Sequence, residues 1–162
     1  MIVWLVVPDR IFGQAGSAHE IRTTNLGIIW QGAKSWSPWR EVDLGYHTEA
    51  SIGRWWIDGQ RPAHTTNTQI GFTPTLRATF SSSWSWFLEA GIGANVITPL
   101  YRRNDRRFST TFNFGDHLGI GARPFGPKGI EFSLRYQHFS NAGIRHPNPG
   151  QNFLQLRISF PI

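Results

Sequence analysis

Two reactive side chains stand two residues apart near the C-terminal end of the chain. They are His138 and Ser140, within Tyr136-Gln137-His138-Phe139-Ser140-Asn141-Ala142-Gly143-Ile144. On an extended strand, residues i and i+2 project from one face with Cα atoms about 6–7 Å apart. An imidazole so placed can take the hydroxyl proton and make the oxygen a nucleophile, which is serine esterase chemistry. The chain has no cysteine, which excludes thiol nucleophiles, thiolate metal sites and disulfides. It carries no phosphate loop, HExxH site or dinucleotide fingerprint, so neither metal nor cofactor is expected. Of the other histidines, His47 and His117 fall on polar faces of alternating segments, and His19, His64 and His146 fall in connections.

The segment that carries the pair alternates with period two, which is the strand signature. The same alternation runs through Glu41–Arg54, Gln69–Phe80, Trp84–Val96, Phe112–Ala122, Ile130–Tyr136 and Leu154–Phe160, and more weakly through Arg10–Ser17 and Thr23–Trp30. Eight strands result. One face of each is bulky and aromatic, while the other is glycine, small hydroxyls and charge. Glycine gains little on a solvated face but suits the crowded interior of a narrow barrel. Strands of about ten residues, even in number and with aromatics towards their ends, match an outer-membrane barrel. The expected fold is therefore all-β, an eight-stranded antiparallel transmembrane up-and-down β-barrel. Trp30, Trp84 and Trp86 at one rim, and Trp55 and Trp56 at the other, are expected as interfacial girdles. Glu41, Asp43, Glu49, Arg77, Glu89, Glu131 and Arg135 face the lumen and are expected to plug it with ion pairs. A soluble, lipocalin-like barrel would invert this polarity.

The parity of Ile130, Phe132, Leu134 and Tyr136 carries His138 and Ser140 onto the lipid face. Polar groups there are functional suspects, or else they end the apolar band at the headgroup level.

Charged residues make up only 16%, against about 25% in soluble domains. The net charge is +6, and 14 of the 16 basic residues are arginine, which suits planar oxyanions such as phosphate. Nucleic acid and a phosphate-rich membrane surface both fit that charge; the barrel reading selects the membrane. Arg102, Arg103, Arg106 and Arg107 cluster around Asp105 in the connection Thr98–Thr110. They are candidate phosphate ligands at the membrane surface, or a solvated charge run. The longest early apolar run, Ile2–Val7, is far short of the roughly 20 residues of a membrane helix. Residues 1–8 read as a signal-peptide remnant or short N-terminal extension, and 9–162 as a single barrel domain.

Arg135–Asn148, with His-Phe-Ser-Asn-Ala-Gly-Ile followed by Pro-Asn-Pro-Gly, resembles the active-site hairpin of the lipid A 3-O-deacylase (PagL) family. Phe114-Gly115-Asp116-His117-Leu118-Gly119-Ile120-Gly121 resembles a second family segment. The resemblance implies an outer-membrane hydrolase that removes the 3-O-acyl chain of lipid A, with its site on the outside of the barrel. Lipopolysaccharide is then the expected partner. It further implies Ser140 as nucleophile, His138 as base, and Asn141 with the following backbone N–H groups as oxyanion donors. The family completes a Ser-His-Glu triad with an acid just after the Pro-Asn-x-Gly turn. Here Gln151 and Asn152 follow instead. A register pairing Ser140 with Gly150 sets Asn152 opposite His138, Tyr136 opposite Leu154 and Leu134 opposite Leu156. An Asn oxygen can fix the imidazole tautomer but cannot stabilise imidazolium as a carboxylate does; in a serine protease that exchange costs about 10⁴ in turnover. Asp116, opposite Tyr136 or His138 on the preceding strand, is a possible supporting acid, or a structural carboxylate. Loss of the acid leaves a second reading open, a non-catalytic barrel that binds lipopolysaccharide or serves a surface role.

Overall fold

The computed structural model describes residues 7–58, 66–103, 106–126 and 128–162. Most of the N-terminal extension, His64 and Asp105 lie outside the described residues. Eight long strands follow one another: β1 (Arg10–Ala18), β2 (Ile21–Gln31), β3 (Val42–Ile57), β4 (Thr66–Phe80), β5 (Phe87–Thr98), β6 (Phe112–Ala122), β7 (Glu131–Ser140) and β8 (Gln151–Pro161). Every neighbouring pair is antiparallel, and β8 pairs back with β1 from Arg10↔Pro161 to Ser17↔Leu154, which closes the barrel. Closure leaves no long free strand edge.

Alternation sorts the side chains as the sequence requires. Leu26, Ile70, Leu76, Ile92, Leu118 and Leu156 are among the large apolar groups exposed on the outer wall. The lumen is packed with polar groups. Glu49 accepts two guanidinium forks, from Arg135 at 2.7 and 3.0 Å and from Arg157 at 2.7 and 2.8 Å, and it bonds His47 at 3.0 Å. Glu89 joins Arg77 to Arg135, and Glu131 joins Arg77, Arg123 and Ser159. Each buried charge thus meets opposite charge, the condition for keeping it away from water. A wall this narrow is filled by its own side chains.

Three expectations change. Glu41 and Asp43 have the lumen parity but lie exposed beyond the rim, where β3 outruns the closed barrel and pairs with the short strand Trp36–Trp39. Asp43 accepts a hydrogen bond from the Ser37 hydroxyl there. Their place in the ion-pair plug is taken by Arg10, Arg123, Arg157 and His47. Trp55 is no girdle residue. Being adjacent to Trp56 it must face the opposite side, and it is fully buried in the lumen. Its indole N–H donates to Gln69 at 2.9 Å, and its ring meets Tyr101, Phe108, Phe139 and Phe153 edge-on. This apolar cluster stoppers the end remote from the termini. Finally, β5 starts at Phe87, because Ser82–Ser85 form a turn with Ser85 at φ 41°. Trp86 stacks flat on Phe80 across that turn, with ring centres 3.9 Å apart.

Candidate active site

His138 and Ser140 are the last outward-facing residues of β7. The register around them is Phe132↔Ile158, Leu134↔Leu156, Tyr136↔Leu154 and His138↔Asn152 on the β8 side. On the β6 side, Asp116 stands opposite His138 and Phe114 opposite Ser140. Three strands therefore line up Asn152, His138 and Asp116 in one row on the outer wall. The Asn152 side-chain oxygen bonds His138 Nδ1. With an amide oxygen as partner, Nδ1 carries the proton, and Nε2 is left as the basic nitrogen. That is the tautomer needed to accept a proton from Ser140.

Backbone shape holds the ring from a second side. Gly150 has φ +64°, and a Cβ built on it would lie 2.7 Å from His138 Cε1. Only a residue without Cβ lets the imidazole settle there. The Ser140 hydroxyl accepts the Ala142 N–H at 3.4 Å, inside a turn in which Ala142 (φ 53°) and Gly143 (φ 79°) are both left-handed.

Asn141 directly follows Ser140 and is held in place on every side. It is buried, and its amide N–H groups donate to Ser109 Oγ at 2.9 Å and to the Arg145 carbonyl at 2.7 Å. Its amide oxygen accepts the Gly143 N–H at 3.0 Å, and its own N–H is held by the Asn148 side chain at 3.0 Å. Asn141 clamps the turn after Ser140, and the backbone N–H of Ala142, the next residue, donates to the Ser140 hydroxyl. Asn148 and Ser109 were not singled out by sequence reasoning; the Pro-Asn-Pro-Gly motif was the available signal for Asn148.

The arginine cluster also divides. Arg102–Arg103 pair with Arg106–Arg107 as a two-rung ribbon. Arg103 is buried and tied to the β1–β2 turn through the His19 carbonyl and, at 3.7 Å, Glu20. Arg106 donates to the Pro149 carbonyl at 3.0 Å and the Gly150 carbonyl at 3.4 Å, bracing the backbone beneath His138. Arg102 and Arg107 are exposed. Beside the ribbon the Tyr101 hydroxyl donates to Gln151 at 3.1 Å, and burial pushes this phenol's pKa up, so it stays protonated. Among the described residues no group of three metal-ligating side chains occurs.

The family profile described as lipid A 3-O-deacylase (PagL) matches residues 24–161. The lipid A deacylase PagL of Bordetella bronchiseptica is 39% identical over 123 residues, which is 75% of this chain and 64% of that protein. The lipid A deacylase PagL of Pseudomonas aeruginosa is 30% identical over 151 residues, 93% of this chain and 81% of that protein. The chain thus spans just under two thirds of the Bordetella relative. A crystal structure described as that of the outer membrane enzyme PagL superposes with TM-score 0.82 at 26% identity, covering 94% of this chain and 99% of that one. With the profile covering most of the barrel and two relatives matching along it, the chain belongs to the lipid A 3-O-deacylase (PagL) family.

Proposed function

We propose that this chain is an outer-membrane serine esterase that hydrolyses the 3-O-acyl ester of lipid A. The observation that carries the reading is the His138–Asn152 bond on the lipid-facing wall, with Ser140 one outward position further along β7. Asn152 orients the ring with Nδ1 protonated. His138 Nε2 takes the Ser140 proton as Oγ attacks the ester carbonyl carbon. The Ala142 N–H is the donor for the oxygen that becomes negative. His138 then returns the proton to the departing sugar oxygen, and water cleaves the acyl-serine by the same route.

Asn152 cannot supply the negative charge that steadies imidazolium, and Asp116 is the carboxylate that can. It stands opposite His138 on β6, and its field acts in the low dielectric of the lipid face. Arg102 and Arg107, exposed on the distal loop, are among the cations that lipid A phosphates can reach.

The test is incubation of the refolded barrel with purified lipopolysaccharide in detergent, beside Ser140→Ala, with lipid A followed by mass spectrometry. Loss of one 3-hydroxyacyl chain in the wild type alone supports the esterase. Asp116→Asn with unchanged hydrolysis removes the role given to Asp116. The missing family acid favours one second reading, a non-catalytic lipopolysaccharide-binding barrel. Silence in the wild type together with activity in Asn152→Glu would select a family member disabled at this position. Silence in both would select the binding barrel.

A further inference from the structure

Arg54 faces outward from β3 and is exposed. The register fixes its level on the wall. β3 lies four strands from β7 whichever way round the barrel is followed. The row of paired residues that starts at Tyr136 reaches Tyr46 through β6, β5 and β4. Through β8, β1 and β2 it reaches Trp56 instead. The two arrivals differ because the strands of a barrel are staggered. The level of Tyr136 on β3 is their midpoint, Ser51, so His138 is level with Gly53 and Ser140 with Trp55. Arg54 stands between those levels, diametrically across the barrel from the dyad.

Two polar outward rows meet there. Thr24, Arg54 and Thr68 are neighbours in one, and Arg22, Trp56 and Thr66 in the row above it. Arg54 donates to the Thr68 hydroxyl at 3.2 Å and to the Thr66 hydroxyl at 3.0 Å. Both partners are neutral, and among the described residues no carboxylate pairs with this guanidinium. Arg22 donates to Asp58 at 3.2 Å, but both side chains are exposed, so the pair contributes little. One carboxylate thus stands against two guanidiniums, on a wall where a cation is costly unless an anion or water meets it. Directly below, the wall turns apolar. Leu26, Ile52 and Ile70 form the next outward row, and Ile28, Ala50 and Phe72 the one after. A groove of about 700 Å³ runs over Leu26, Ile28, Ala50, Ile52 and Ile70, and it touches neither His138 nor Ser140.

We propose that the basic patch and this groove together form a second lipid site, which holds a lipid A molecule without hydrolysing it. Arg54 and Arg22 fork a headgroup phosphate, the exposed Thr24 hydroxyl is a further donor, and an acyl chain lies over Ala50, which is small between Ile28 and Phe72. Lipid A is the occupant because the patch shares the level of the dyad in a member of the lipid A 3-O-deacylase family, and so meets the same leaflet of phosphates. The site is non-catalytic because the whole barrel stands between it and Ser140. Hydrolysis by Ser140 is not required for it.

The test uses the Ser140→Ala barrel, which needs no turnover, and lipid A carrying a diazirine on its acyl chains. Photolysis is expected to label Ala50, Ile52 or Ile70. Labels on Leu118 or Leu154, beside the dyad, serve as the internal reference and report a folded barrel. Combining Arg22→Gln with Arg54→Gln is expected to lower labelling of the groove about tenfold against that reference, since hydrogen bonds to a charged group are lost. Two arms keep the patch unmutated. Lipid A stripped of its phosphates is expected to lose the groove label in the same proportion, and excess phosphatidylglycerol to displace it only weakly. No label on β3 or β4, or a groove label indifferent to the arginines or to the phosphates, would overturn the site. Displacement by phosphatidylglycerol as effective as by unlabelled lipid A would overturn the choice of lipid A and leave a general surface for acidic lipids. Acyl release is measured in none of these arms, so failure of the esterase reading would leave their outcomes unchanged.

Discussion

Gly150→Ala isolates the packing of the imidazole from every other contribution to the site. The new Cβ would stand 2.7 Å from His138 Cε1, where ordinary contact begins at 3.4 Å, so the ring must withdraw by about 0.7 Å. It cannot swing freely, because Asn152 holds Nδ1 from β8. Misplacement of a catalytic group by about 1 Å can cost about 10²-fold in rate, so a loss of tens-fold in turnover is expected. A second effect comes with the substitution. At φ +64°, a residue with a Cβ is strained by about 1–2 kcal/mol, which lowers stability whatever the ring does. Gly126→Ala separates the two, since Gly126 has φ +88° and nothing within 4 Å of its would-be Cβ. Both variants are expected to lower the urea midpoint of the barrel in lipid vesicles by similar amounts. Only Gly150→Ala is expected to slow acyl release, read by mass spectrometry of lipid A under saturating substrate. Wild-type turnover in Gly150→Ala would refute the placement of the base over Gly150. Equal loss in Gly126→Ala would show that stability, not geometry, limits the reaction.

Asn152→Glu places a carboxylate against His138 and is expected to raise turnover. The gain should fall short of the roughly 10⁴ lost in a protease whose acid becomes an amide, because the proposed mechanism already gives Asp116, opposite His138 on β6, part of that role; kcat on lipid A measures it. Arg106→Met removes the brace on the Pro149 and Gly150 carbonyls. Losing a hydrogen bond of about 1 kcal/mol should cost several-fold in kcat with KM unchanged, whereas a rise in KM alone would return Arg106 to phosphate binding. Glu49→Gln leaves Arg135 and Arg157 without their shared carboxylate. A loss of about 3–5 kcal/mol in urea unfolding is expected. Trp55→Ala empties the stopper and should cost about 3–5 kcal/mol, read the same way.

The period-two pattern was enough to read the barrel, its polarity and the register at the site. Pairing Ser140 with Gly150 leads by parity alone to His138↔Asn152 and Leu134↔Leu156, since a slip of one residue would turn every apolar side chain inward. The same parity, followed one residue past Ser140, turns Asn141 inward, where it is buried. What alternation cannot carry is depth and distant partnership. Glu41 and Asp43 have the right face but lie past the rim, which depends on how far β3 outruns its neighbours. Arg103 and Arg106 are spent on carbonyls 84 and 43 residues away, and no local pattern announces such contacts. Trp55 and Trp56 are adjacent on one strand and must face opposite sides, so only Trp56 is exposed on the outer wall.

The dyad opens sideways while the lumen behind it is stoppered by Trp55 and its aromatic neighbours and bound across by arginine and glutamate. On the proposed esterase reading, substrate therefore arrives by lateral diffusion within a film and not through the lumen. The relevant concentration is the mole fraction of lipid A among its neighbours, not its molarity in the suspension. Adding inert lipid at constant total substrate should slow the reaction, as it would for any catalyst confined to a surface. Only inhibitors that partition into the same leaflet would meet the serine at useful density.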